Sequence, residues 1–184
     1  MIINALVFQV CWLACVIGGT PFALVAVSAF FIWHKGHLKP REMWLLAAVT
    51  LFGCLWDTLL LQLGFISLPP AARFYTAQII PVWLLLLWLA FAMTLWHSLR
   101  WCSTRPWLAA VCGAVVAPLS YLAGERLGAL QLSAQAPFWI AAGWTVMMTT
   151  VALITRRQGT ALYGSDGKDS RDNTGIAARG EWNE

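Results

Sequence analysis

Charge is the scarcest ingredient of this chain. Asp, Glu, Lys and Arg make up 11% of its 184 residues, where a soluble globular domain has about 25%, and that shortage excludes a well-solvated surface around an ordinary core. Catalytic signatures are lacking too: there is no HExxH, no Walker loop, no GxSxG and no pair of carboxylates spaced for acid/base work. No enzymatic assignment follows from motifs. The five cysteines form no CxxC and share no zinc spacing with the three histidines, so neither a metal nor another cofactor is expected. Cys11 and Cys15, four apart on one helix face, read as small buried packing residues. No basic stretch precedes the first apolar run, which is therefore expected to remain as an anchor and not to be cleaved as a secretory signal.

What the chain has instead is apolar length. Hydrophobic residues make up 60% of it, with 12 Trp, and they gather into six nearly uncharged stretches at 2–18, 21–33, 43–66, 79–101, 106–123 and 136–154. A membrane core about 30 Å thick takes about 20 apolar residues per helical crossing. The fold expected is an all-α, polytopic transmembrane helical bundle occupying residues 1–155. The first two stretches are short and are read as a helical hairpin or a re-entrant pair, with Gly18 and Gly19 at the bend and Thr20-Pro21 starting the second helix. Beyond Arg156 the chain becomes polar and rich in Gly, Ser, Asp and Asn, a composition that buries too little to repay ordering. Residues 156–184 are expected to form a disordered cytoplasmic tail.

The net charge of +4 does not point to nucleic acid. From Arg156 onward five basic residues balance five acidic ones, so the excess belongs to the loops between apolar stretches. Lys35, Lys39 and Arg41, then Arg100 and Arg105, then Arg156 and Arg157 fall on one side; Arg73 and the Glu125-Arg126 pair fall on the other. Positive charge collects on the cytoplasmic side of membrane proteins, which predicts both termini inside. Trp44, Trp101, Trp107 and Trp139 sit at predicted span ends, as interfacial residues do, whereas Trp12, Trp56, Trp88 and Trp144 are mid-span packing residues.

Asp57 is the only acid within a predicted span. Counting about 1.5 Å per residue from Met43 places it roughly 21 Å from the cytoplasmic boundary. An ionisable residue at that depth faces the bundle interior and either binds, relays protons or ties helices together. By the same count Ser120 and Tyr121 lie level with it as hydrogen-bond donors, and Arg126 is one to two turns further out as an ion-pair candidate. Gln9 in the first stretch completes the candidate intramembrane polar site of Asp57, Ser120, Tyr121, Arg126 and Gln9. Gly113, Ala114 and Ala117, with Gly124 and Gly128 beyond, give the fifth stretch a small face for close helix contact.

Several runs also resemble one family. They are residues 4–19, the Trp56-Asp57 pair followed by Leu63-Gly64, and the stretch from Pro81-Val82-Trp83 through Leu87-Trp88 and Phe91-Ala92 to Ser98-Leu99. Gly113 with Pro118-Leu119-Ser120-Tyr121, Ala123-Gly124 and Leu127-Gly128-Ala129 completes the set. Residues 3–155 in this way resemble the bacterial inner-membrane family catalogued as domain of unknown function 2878. The resemblance implies an inner-membrane location and no catalytic assignment. It also implies a genomic setting near cyclopropane-fatty-acid-type methyltransferases, which tilts the expectation toward lipids. The reading is an accessory or binding component linked to membrane lipid metabolism. The alternatives are a small proton-coupled transporter using Asp57 and a membrane-embedded enzyme with Asp57 and Tyr121 as acid/base groups. Expected partners are membrane lipids, further copies of the chain or other membrane proteins.

Overall fold

Long apolar runs with few breakers fold as helices in a membrane because every backbone group must find its partner within the segment. The computed structural model describes residues 2–36, 40–69, 79–95 and 105–177. Among these it has five helices: α1 (Ile2–Lys35), α2 (Pro40–Gln62), α3 (Val82–Thr94), α4 (Pro106–Arg126) and α5 (Ala136–Ala177). Two short strands, β1 (Ile66–Ser67) and β2 (Gln131–Leu132), pair antiparallel with Ile66 opposite Leu132 and Ser67 opposite Gln131. Four helical segments are long and apolar enough to cross a membrane: Ile2–Lys35, Met43–Gln62, Pro106–Arg126 and Ala136–Arg156. The fourth expected stretch is represented by the shorter α3; His97, Arg100, Trp101 and Cys102 at its end lie outside the described residues, as do His37, Lys39 and Arg73 of the loops.

Helix α1 contains the expected bend. Gly19 has φ 64° and ψ −158°, a left-handed φ with an extended ψ that suits only glycine, so α1 consists of two helical arms, 2–18 and 20–35. Each arm buries one stripe: Asn4, Cys11, Cys15 and Val16 in the first, Ala23, Val27, Phe30 and His34 in the second. The opposite faces are also apolar, with Leu6, Val10, Leu13, Ile17 and Val25 exposed, as for a helix whose outer face meets lipid.

Several boundaries differ from the sequence reading, three of them at helix C-termini. The third stretch was expected to run to Ile66, but α2 stops at Gln62: Gly64 has φ 75°, the Gly64 amide donates to the Leu61 carbonyl and the Phe65 amide to that of Leu60. This is a Schellman ending, and it releases Ile66 and Ser67 into the strand pair. α4 ends in the same way three residues later than expected, with Gly128 at φ 79° donating to Glu125 and Ala129 to Gly124. Glu125 and Arg126 therefore belong to its last turn, not to a loop. At the other extreme, helical backbone continues past Arg156 to Ala177, over residues expected to be disordered; extending an existing helix avoids the cost of nucleating one.

The helices form two groups. α1 packs mainly on α3, and α2 also packs on α3; α4 and α5 form the other closely packed pair. Gly113 makes that pair tight, since a Cβ there would lie 2.6 Å from the Trp144 carbonyl oxygen. Between the groups the contact is thinner, carried by α2 with α5 and by the β1–β2 pair at one end. Two hydrogen bonds cross this seam deeper in the bundle.

Candidate functional site

The first bond across the seam starts from Asp57, on the second-last turn of α2. Its side chain is 1% exposed. Trp88 of α3 donates its indole N–H to Oδ2 at 2.6 Å, and the Tyr121 hydroxyl of α4 lies 2.8 Å from Oδ1 and 2.7 Å from Oδ2. One buried carboxyl thus ties three helices, using two neutral donors. Gly53, one turn earlier on α2, is what lets Trp88 reach it: a Cβ at Gly53 would run into the Trp88 ring. Gly143 on α5 accommodates the Trp56 ring in the same manner.

The second bond is one residue away. Trp12 of α1 donates its indole N–H to Ser120 Oγ at 3.0 Å, so consecutive residues of α4 hold both tethers. Around them is an aromatic cluster. Trp88 stacks on Trp144 with ring centroids 4.5 Å apart, Phe91 meets Trp144 edge-on at 4.7 Å, and Phe8 meets Phe91 at 6.1 Å. The Trp144 indole lies beside the Tyr121 hydroxyl, yet its buried Nε1 finds no partner in hydrogen-bonding geometry.

Beside the tethers the seam is hollow. A cleft of about 40 Å³ is lined by Phe8, Trp12, Trp88, Phe91, Ser120, Tyr121 and Trp144, among others. A second space of about 20 Å³ shares Trp12, Leu84, Leu87, Ser120 and Tyr121 with it and extends past Trp83 and Gly124 to Leu130. The two spaces adjoin at these shared residues, and the second reaches Ala129 and Leu130, next to β2. Asp57 lies behind Trp88 and Tyr121 and does not itself line either space.

The family model described as "Protein of unknown function (DUF2878)" matches residues 1–154. The chain belongs to the DUF2878 family. No curated protein and no solved structure matches it.

In this DUF2878 protein the sequence candidates divide. Asp57 and Tyr121 meet directly, and Ser120 lines the cleft as an acceptor from Trp12. Arg126 is exposed at the end of α4 and is not among the partners of Asp57. It lies five residues, roughly 7.5 Å, beyond Tyr121, at a helix C-terminus where a cation is favoured. Gln9 is exposed on α1, away from the cleft. Of the residues at interfacial positions, Trp44, Trp107 and Trp139 are exposed. Trp88 and Trp144 were read from sequence as packing residues; they prove to be the carboxylate's donor and the cleft's wall.

Proposed function

We propose that the protein is a multi-pass component of the bacterial inner membrane that binds a membrane ligand in the aromatic cleft beside Asp57, as an accessory to lipid metabolism. The observation that carries this reading is the cleft itself: rings from α1, α3, α4 and α5 converge at a seam that only a few contacts close. Ligand sites are typically apolar clefts with a few fixed polar groups, and here the fixed groups are Ser120 and Tyr121, held by Trp12 and Asp57. Catalysis is less well supported, because Tyr121 is bonded to Asp57 and no second ionisable side chain lines the cleft. Proton-coupled transport is the second reading, favoured by one observation: the buried acid stands at the boundary between two helix groups.

The topology that suits this reading has six membrane segments with both termini in the cytoplasm. Val16 and Leu130 line the same space, so the first arm of α1 ends near the β1–β2 end of the bundle. α2 also finishes at that end, so it starts at the opposite one, about 34 Å away. Only four residues lie between Lys35 and Pro40, and their five Cα steps reach roughly 18 Å. The second arm of α1 must then run back, making a hairpin at Gly19. The basic residues at Lys35, Arg105 and Arg156 share the end opposite the strands, which supports the reading of that end as the cytoplasmic one.

Whole-cell lipid mass spectrometry of a deletion strain tests the function. Complementation by the wild-type chain is expected to restore a changed lipid profile, and Asp57→Asn at matched abundance is expected not to. An unchanged profile on deletion would sink the link to lipid metabolism.

A further inference from the structure

We propose that the cleft receives an organic ammonium group, the compact –NH3+ head of an ethanolamine-type ligand. This rests on the binding function proposed for the same cleft and names its ligand class. The first observation is a buried carboxyl with no cation beside it among the described residues. Asp57 is fully buried and its partners are an indole and a phenol, both neutral. The described Lys and Arg side chains at Lys35, Arg105, Arg126 and Arg156 are all exposed. A buried carboxylate calls for a cation or a proton nearby, and the protein places none of its described cations there.

The second observation is the lining. Phe8, Trp12, Trp88, Phe91, Tyr121 and Trp144 line the space, and aromatic faces carry the negative part of the ring quadrupole that attracts ammonium ions. Two of the lining's polar atoms are acceptors of the right kind, and the unpartnered Trp144 Nε1–H is a donor left to an oxygen of the ligand. Tyr121 directs its proton to Asp57 and Ser120 Oγ already accepts from Trp12, so lone pairs on both oxygens remain for a donor. The third observation is size and direction. About 40 Å³ holds a few water molecules and therefore an ammonium head, not a whole amphiphile. The adjoining space reaches Gly124 and Leu130, next to the strand end of the bundle, and Tyr121 lies only five residues from the end of α4, about 7.5 Å. A head group inserted from that end reaches the rings without crossing the bundle.

The ammonium could arrive free or on a lipid, and the experiment separates the two. The full-length chain in a detergent without amines is titrated with ethanolammonium chloride while tryptophan fluorescence is followed. Its neutral isostere 1-propanol and sodium chloride serve as controls. In parallel, native mass spectrometry compares retention of phosphatidylethanolamine with that of phosphatidylglycerol. A saturable response to ethanolammonium at least tenfold tighter than to 1-propanol indicates the free cation. Selective retention of phosphatidylethanolamine without that response indicates the lipid head; both results support the proposal. Asp57→Asn and Trp144→Leu are each expected to weaken binding at least fivefold. Trp144 makes no hydrogen bond through Nε1, so its variant keeps the test valid should Asp57→Asn fail to fold. If 1-propanol matches ethanolammonium and both lipids are held alike, yet Trp144→Leu still weakens them, the ammonium class is overturned while ligand binding in the cleft stands. If no probe or lipid responds to a cleft variant, both fall.

Discussion

Asp57 carries more of this structure than its single position suggests, because replacing it affects three helices. A hydrogen bond between transmembrane side chains contributes about 0.6 kcal/mol on average and up to about 1.7 kcal/mol. Tyr121→Phe and Trp88→Phe are each expected to lower stability within that range, measured by denaturant unfolding in detergent. Their sum is expected to exceed the double variant's loss, since both donors share Oδ2; strict additivity would mean that the two bonds are independent. Asp57→Leu is expected to cost more than Asp57→Asn, because it strands both donors in a buried site. Asp57 and Tyr121 could be paired from sequence by counting helical rise, which puts them at one depth. The same count from Trp101 puts Trp88 at about 20 Å, also level with Asp57, so the signal was present. It was hidden because a mid-span tryptophan looks like packing. Arg126 misled for the converse reason: charge attraction suggested the pair, whereas a guanidinium at a helix end reaches water at little cost.

Glycines decide how the helices are cut and how closely they approach. Gly53 faces the Trp88 ring, so Gly53→Ala is expected to push Trp88 away from Asp57. The variant should reproduce the stability loss of Trp88→Phe and add almost nothing to it when the two are combined; full additivity would detach Gly53 from the site. Gly64 and Gly128 act differently. Each sits at positive φ with open space where a Cβ would be, so alanine there costs about 1–2 kcal/mol through backbone conformation alone. Gly128→Asn is expected to lose less than Gly128→Ala in the same unfolding measurement, because Asn tolerates the left-handed region. These stops explain which boundaries were readable. Hydropathy continues through Leu63, Phe65 and Ile66 without a change, and a hydropathy window cannot see that Gly64 must turn the backbone. The Gly19 break was legible because two adjacent glycines precede Thr20-Pro21, a pattern of chemistry and not of hydrophobicity.

At the scale of the whole molecule the question is whether the seam between the two helix groups moves. The β1–β2 pair joins the groups at one end, and Asp57–Tyr121 and Trp12–Ser120 join them beside the cleft. Ser67 and Gln131 are Cα partners in the antiparallel register, a spacing of about 4.5 to 5.5 Å that a disulfide spans. Ser67→Cys with Gln131→Cys is therefore expected to cross-link on mild oxidation, seen as a change in gel mobility reversed by reductant. Ile66→Cys with Gln131→Cys, one residue out of register with side chains on opposite faces, is expected to oxidise far less. The locked protein then separates the two functional readings. A static binding component keeps its affinity and its exchange rate when the strand end is locked, because nothing has to open there. A carrier that admits its ligand by parting the seam keeps its affinity but exchanges bound ligand more slowly until the disulfide is reduced. Slow exchange restored by reductant would make the strand pair a gate and favour transport. Unchanged exchange would leave the cleft as a fixed receptor within the membrane.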